Sequence, residues 1–511
     1  MKLHSIKVQN FRSYKDEVEV LIDDLTAFVG RNDIGKSTIL EALDIFFNEN
    51  RGAIKLDKDD INKSALKEGN NDIYISATFT DLPNSIKIDS TNPTTFENEY
   101  LLNAAGYLEI VKRYTNAGAA KVFINAYHPT NQKCSDLLSK KIGDYKKIIK
   151  DESIDCQNLT VNAIMRTAIW EHFKDELQLS EVLLETSKED AKNIWEKIQT
   201  YLPLYSLFQS DRKNSDNDSE VQDPLKKAVS QILADEKISD MFNEIAEKVT
   251  NHLNAVSQAT LDKLREMNPN IANSLKPVIP ASNSLKWSDV FKNVSISGDE
   301  DIPINKRGSG VKRLILLNFF RAEAERRLKD GNSKSIIYAI EEPETSQHTD
   351  HQRLLVKAFR ALSQAKNTQV LLTSHSSIVV KELDFENLRL INEDSEMKKC
   401  ISKVSPNQLP YPSLNEINYI AFKDLTEEYH NELYGFIQAE GWLVDYRREK
   451  ETISYIKING SKTSEEFVVL TDYVRHQIHH PENTLNIRYS QEQLANSVEL
   501  MRNFVLTKRS E

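Results

Sequence analysis

The chain has 511 residues, 39% hydrophobic and 28% charged, with a formal net charge of −11. That balance fits a globular protein with more than one core and excludes a disordered chain. The negative charge excludes a nucleic-acid coat over the whole chain, and the absence of any apolar run of about 18 residues excludes a membrane-spanning helix.

In chain order, Met1-Lys2-Leu3-His4-Ser5-Ile6 leads straight into a strand over residues 3–8, which predicts no signal peptide. Cys134, Cys156 and Cys400 lie far apart with no Cys-x-x-Cys pair, which predicts reduced thiols and a cytoplasmic location. A short apolar run, Leu25-Thr26-Ala27-Phe28-Val29, reads as a buried strand. It runs into Gly30-Arg31-Asn32-Asp33-Ile34-Gly35-Lys36-Ser37-Thr38, which fits Gly-x4-Gly-Lys-Ser, and residues 37–47 follow with Ile39, Leu40, Leu43, Phe46 and Phe47 at helical spacing. Strand, glycine-bearing loop and helix is the context a phosphate-binding loop requires. Its glycines let backbone N–H groups curl around phosphate oxygens, and the helix N-terminus adds partial positive charge. This predicts a nucleoside triphosphate held by Gly30, Asn32, Gly35, Lys36, Ser37 and Thr38, with Lys36 on the β- and γ-phosphates and the Ser37 hydroxyl on Mg²⁺.

Further strands are expected over residues 73–79, 108–113 and 122–126. From residue 131 to 290 the pattern turns helical and rich in Lys, Glu and Asp, broken by a polar loop over residues 210–219. Lys140, Lys141, Lys146, Lys147 and Lys150 make a basic patch there, read most simply as a solvated helix face. Strand patterns return between residues 291 and 385. Gly308-Ser309-Gly310 opens a helical run, a second anion cradle in type. The apolar strand 336–340 ends in Glu341-Glu342-Pro343-Glu344. Carboxylates at the end of a strand beside a phosphate loop predict Glu341 in the Mg²⁺ shell and Glu342 polarising the attacking water. A third apolar strand, 370–373, ends in Thr373-Ser374-His375-Ser376, where His375 fits a γ-phosphate sensor. Pro406, Pro410 and Pro412 mark a linker over residues 386–412, and a mostly helical module is expected over 413–511.

Together with Ile6-Lys7-Val8-Gln9-Asn10-Phe11-Arg12-Ser13-Tyr14, these motifs resemble the ATPase heads of the RecF, SMC and OLD-type group. The resemblance implies an α/β fold: an ABC-type P-loop ATPase head split into residues 1–130 and 291–385 around a helical insertion, with a mostly helical C-terminal module. It further implies a homodimer or larger homo-oligomer whose heads sandwich ATP, with Gly308, Ser309 and Gly310 acting in trans as the signature loop and Arg12 touching the nucleotide. Two positions depart from the pattern: Glu341 stands for the usual Asp, and Lys312 stands where Gln is common.

The insertion lacks sustained heptads and no Asp-x-Asp follows residue 385, unlike the long coiled-coil members or those with a Toprim nuclease. Residues 207–212, 220–224, 416–422 and 428–434 resemble the ATPase subunit of Septu-type and retron-associated antiphage systems. That resemblance implies a separate HNH-type nuclease partner, in some systems a retron reverse transcriptase with its RNA–DNA element, and nucleic acid engaged through the complex. A second possibility stays open in Tyr473-Val474-Arg475-His476-Gln477-Ile478-His479-His480-Pro481. Arg475 and His480 have the Arg-x4-His spacing of HEPN ribonucleases, which need no metal; the same residues also suit a helix end or a docking surface. A plain RecF-like repair ATPase is the third alternative.

Overall fold

The computed structural model describes residues 1–49, 52–87, 93–209, 236–278, 295–298, 335–345, 347–394, 398–460 and 462–510. The signature residues Gly308, Ser309 and Gly310, with Lys312, lie outside the described residues. The chain divides into two compact units. One contains Met1–Phe28, Gly35–Ser374 and Glu393–Ile401; the other contains Val29–Ile34, His375–Asn392 and Ser402–Glu511.

The first unit holds an antiparallel sheet. Its strands are β1 (Lys2–Gln9), β2 (Val18–Leu21), β4 (Asp72–Thr80), β5 (Leu108–Thr115), β6 (Lys121–Pro129) and β7 (Leu179–Glu185), in the order β2-β1-β4-β5-β6-β7. A second run of neighbouring strands is β8 (Leu204–Phe208), β9 (Ile336–Glu341), β10 (Thr368–Ser374) and β3 (Leu25–Val29), in that order. β8, β9 and β10 are parallel, with Leu204 opposite Ile336 and Ile336 opposite Thr368. Strands covered on both faces become continuous apolar runs, and every residue of β3 and β10 is buried. The register of β1 against β4 slips between Leu3 and Ser5. There the Gln369 amide substitutes for a ladder neighbour, accepting from Leu3 N at 2.9 Å and donating to Leu3 O at 2.8 Å.

Helix α1 (Lys36–Asn48) buries Ile39, Leu40, Leu43, Ile45 and Phe46 and is pinned at several points. Tyr205 donates to Leu40 O at 2.6 Å and stacks on Phe47 at 5.6 Å. Buried Lys112 donates to Phe46 O at 2.7 Å and to Glu49 at 2.8 Å, a cation at the helix's negative end. Helices α2 (Ile142–Asp151), α3 (Asn162–His172), α4 (Glu189–Tyr201) and α5 (Glu236–Met267) follow, and α6 (Thr349–Ser363) packs on β10. Arg166 on α3 has no exposed surface and is gripped by Glu99, at 2.8 and 2.9 Å, and by Asp190. Lys146, Lys147 and Lys150 are exposed on α2.

Two expectations need correction. The stretch 131–290 is not purely helical, because it supplies β7 and β8. β7 is an edge strand with no buried residue, so it lacks a strong apolar signal, and β8 was read as part of a helical pattern because it is only five residues long. Residues 386–412 are more than a linker: they contain β11 (Leu388–Glu393) and β12 (Lys399–Lys403). Leu388, Leu390 and Ile391 are buried, a signal that the prolines downstream obscured.

In the second unit, α7 (Ser377–Lys381) is followed by α8 (Leu414–Phe422), α9 (Glu427–Ala439), α10 (Leu443–Arg447), α11 (Leu470–His479) and α12 (Gln491–Ser510). A hairpin of β13 (Thr452–Asn459) and β14 (Lys462–Val469) interrupts them. Ser413 and Thr426 cap α8 and α9 by accepting from Glu416 N and Tyr429 N, each at 3.1 Å. The core combines Leu433, Ile437, Val474, Val498, Met501 and Val505 with several tyrosines. Burying a tyrosine demands a partner for its hydroxyl. Tyr434 donates to Asp472 at 2.9 Å, Tyr446 pairs with Thr471 at 2.7 Å, and Tyr473 donates to Ile487 O at 2.7 Å.

Candidate nucleotide site and the C-terminal polar clusters

The phosphate loop is shaped by close backbone approach. Gly30 has φ 156°, and a Cβ there would sit 2.7 Å from Ile391 O. Gly35 has φ 104°, and a Cβ there would sit 2.9 Å from Ser13 Oγ and 3.0 Å from the Tyr14 hydroxyl. Both positions therefore require glycine. Tyr14 donates to Gly35 O at 3.0 Å, and burial raises its pKa, so it stays a donor. Lys36 opens α1 with only 5% exposure, Ser37 is half-buried, and the first turn carries no acidic residue. A glycine cradle, a buried lysine and a hydroxyl at a helix N-terminus fit the phosphates of a nucleotide.

Arg12, expected at the nucleotide, is held by carboxylates. Its Nε donates to Asp60 at 2.7 Å, its Nη1 pairs with Glu41 on α1, and its own N–H donates to Asp60 O at 2.7 Å. The residue thus ties the 10–15 loop to α1 and to the turn at Asp60. Glu41, Asp60 and Tyr14 have no motif of their own; only their spacing around the glycine loop offered a signal.

The acidic pair stands at the end of β9. Glu341 is buried and pairs in register with Thr373. Glu342 takes φ 39°, a left-handed conformation that a non-glycine residue adopts at a cost. It is held there because its N–H donates to Thr373, to the carbonyl at 3.2 Å and Oγ1 at 3.1 Å. Ser374 donates to buried Glu344 at 2.8 Å. Thr373 and Ser374 therefore shape the acidic turn, a role the sequence motif did not reveal. One strand, β10, separates β9 from β3, so the carboxylate strand lies about 10 Å from the strand that feeds the loop. Ser37 and Glu341 are the residue types that hold Mg²⁺ with oxygen ligands. His375 is exposed and belongs to the second unit, two residues before α7.

The C-terminal cluster does not bring its two candidates onto one partner. The Arg475 guanidinium lies 3.9 Å over the Tyr434 ring, while exposed His480 meets Glu482 at 3.1 Å. Sequence reasoning missed His430. It is fully buried, with Nε2 2.9 Å from Ser497, which donates to Thr471 at 2.9 Å. Burial, then nearby Arg475, pushes the His430 pKa down to about 4, so the ring is neutral at pH 7. Among the described residues no group of three or more His, Cys, Asp or Glu side chains could hold a metal ion. None of their helices is long and apolar enough to cross a membrane.

A glycine loop that leads into a buried lysine, with a carboxylate turn at the end of a strand two places away in the sheet, defines a P-loop ATPase head. The AAA ATPase domain family model matches residues 1–380. The chain belongs to that family. It is similar to Endonuclease GajA of Bacillus cereus (strain HuB5-5), with 22% identity over 414 residues that cover 74% of this chain and 56% of the relative. The chain thus spans about half the length of that curated relative. Among solved structures, the SMC head domain from Thermotoga maritima aligns over 79% of this chain and all of its own, at 12% identity and a TM-score of 0.34. The Pyrococcus furiosus Smc head with an extended coiled coil, bound to the C-terminal domain of ScpA, aligns over 80% of this chain and 97% of its own, at 12% identity and a TM-score of 0.41.

Proposed function

We propose that this chain is the ATP-binding subunit of an antiphage defence complex, and that its nucleotide state sets the activity of a separate HNH-type nuclease held by residues 413–511. In this reading Lys36 binds the β- and γ-phosphates, Ser37 and Glu341 hold Mg²⁺, Glu342 polarises the attacking water, and His375 senses the γ-phosphate. Gly308, Ser309 and Gly310 cap the nucleotide of a second copy, so the heads work as a homodimer or larger assembly. Nucleic acid, including a retron's RNA–DNA element, is engaged through the complex. The observation that carries the docking role is the exposure of large apolar side chains in the C-terminal module: Val444 at 73%, Phe467 at 69% and Ile487 at 86%. Side chains of this kind, left in water beside a well-packed core, suit a partner interface. Similarity to an endonuclease supports the link to nucleic-acid cleavage. The stacking of Arg475 on Tyr434 disfavours the alternative of a ribonuclease built on Arg475 and His480.

The test is co-expression with an HNH-type nuclease, if one is encoded beside this chain's gene. Phe467→Glu and Ile487→Glu should release the nuclease in a pull-down while ATP hydrolysis persists. Lys36→Ala and Glu342→Gln should each abolish protection against phage; full protection in both would sink the proposal.

A further inference from the structure

Helix α8 is an unusual element of the second unit because two of its buried polar side chains face opposite ways. Glu416 and Asn418 are two positions apart, which turns them about 200° from one another on a helix. Glu416 has no exposed surface and accepts from Arg502 of α12, with Nη2 to Oε1 at 2.6 Å and Nε to Oε2 at 3.0 Å. Tyr429 of α9 donates to the same carboxylate, and Arg502 lies 4.5 Å over the ring of Tyr419. That side of α8 is therefore fixed to the C-terminal helices.

The other side reaches the segment that begins with His375. Asn418, 2% exposed, donates through Nδ2 to Ser377 O at 3.2 Å. Ser377 opens α7, which packs on α8, and Ser376 caps that helix by accepting from Val379 N at 3.4 Å. The only side chain between the capped turn and the strand is His375 itself. A second tie, Lys381 to Glu428 at 2.5 Å, joins the far end of α7 to α9. α8 ends at Lys423, in a left-handed cap with φ 56° and its Nζ 5.0 Å from the Tyr419 ring. Burial, then the charge of Arg31 in the phosphate loop, lowers the Lys423 pKa, so the helix end lies within electrostatic reach of that loop.

We propose that Asn418 is a positioning residue for ATP hydrolysis: it fixes the His375 segment to a helix anchored in the C-terminal module, so that the module and the γ-phosphate sensor move together. The inference rests on the reading of His375 given above. A rigid strut of this kind gives a protein docked on the module a physical route to the hydrolysis rate, because a shift of α8 moves the backbone two residues from the histidine. The hydrogen bond to a backbone carbonyl suits that task, since it sets the position of the main chain whatever the neighbouring side chains do.

The experiment is steady-state ATP hydrolysis by the full chain in four forms: wild type, His375→Ala, Asn418→Ala and the double variant, with fluorescent-nucleotide binding measured beside it. Asn418→Ala should lower kcat about tenfold while nucleotide affinity stays within about twofold, and the double variant should be no slower than His375→Ala, because residues acting through one path are not additive. Asn418→Leu keeps most of the volume and removes the donor, so it replaces Asn418→Ala if that protein does not fold. Wild-type turnover in Asn418→Ala beside an impaired His375→Ala protein would overturn this inference alone. Losses that multiply in the double variant would also overturn it, because they assign Asn418 a separate role. Wild-type turnover in His375→Ala would remove the reading of the histidine and the inference with it.

Discussion

The phosphate loop with its acidic turn and the C-terminal module both bury polar groups, and the two settings differ. In the head, Lys36 is buried at the N-terminus of α1 and Glu342 is held by Thr373 in a left-handed turn, a backbone conformation that costs stability. In the module, Glu416, His430, Asp472, Thr471 and Ser497 close on one another or on Arg502, Arg447 and the tyrosines. The contrast teaches that apt residue types do not mark a site. What marks one is a strained or buried group whose geometry is set by neighbours and directed at an incoming ligand.

The largest effects should come from the head. Glu342→Gln should lower kcat for ATP by about 10²–10⁴-fold with nucleotide binding retained, the range for a general base. Lys36→Ala should remove binding as well, read by titration with a fluorescent nucleotide. Equal loss of binding in both variants would break the distinction drawn between the two residues.

Next in size is the clamp that ties Arg166 of the insertion to Glu99 and Asp190. Arg166→Met should destabilise the chain by about 3–5 kcal/mol, because Glu99 and Asp190 would be left buried without their cation. Denaturant unfolding measures it. A change under about 1 kcal/mol would show that the clamp is no more than a surface-type ion pair.

The module should respond to pH through His430. His430 has a folded pKa near 4, below its ordinary value of 6.5. The folded state therefore binds fewer protons than the unfolded state, so its stabilising contribution is present above pH 6.5 and is lost as pH falls toward 4. The loss amounts to about 3 kcal/mol at most. Trp442, packed against Phe436 and Phe504, reports the module's unfolding. His430→Gln should flatten the dependence over that window. The smallest effect belongs to Tyr14→Phe, which removes the donor to Gly35 O and should cost about 1 kcal/mol in stability or nucleotide binding.

Much of the head was legible because phosphate binding needs a contiguous backbone loop, and contiguous chemistry is visible in a sequence. The strand Leu25–Val29 occurs with the expected bounds, and the neighbouring strands differ by a residue or a few at their ends. What holds the loop and the acidic turn was not legible: Tyr14 and Thr373 lie inside the quoted motifs, but they, like Glu41 and Asp60, act through tertiary contacts that carry no periodic signal. β7 escaped notice because an exposed edge strand lacks the apolar pattern on which strand reading depends. The histidine-rich stretch around His480 poses the opposite case. Its residue types suggested chemistry, but on α11 and its cap Arg475 and His480 turn to separate partners.

In the function proposed above, this chain is an ATP-controlled holder of a nuclease and not a nuclease itself. The direct test is cleavage of RNA and DNA by the purified full chain, with and without ATP and Mg²⁺, and then with the co-expressed nuclease added. The chain alone should cleave neither RNA nor DNA, and adding the partner should give cleavage that changes with ATP and loses this response in Glu342→Gln. Cleavage by the chain alone, abolished in Arg475→Ala and His480→Ala, would contradict it.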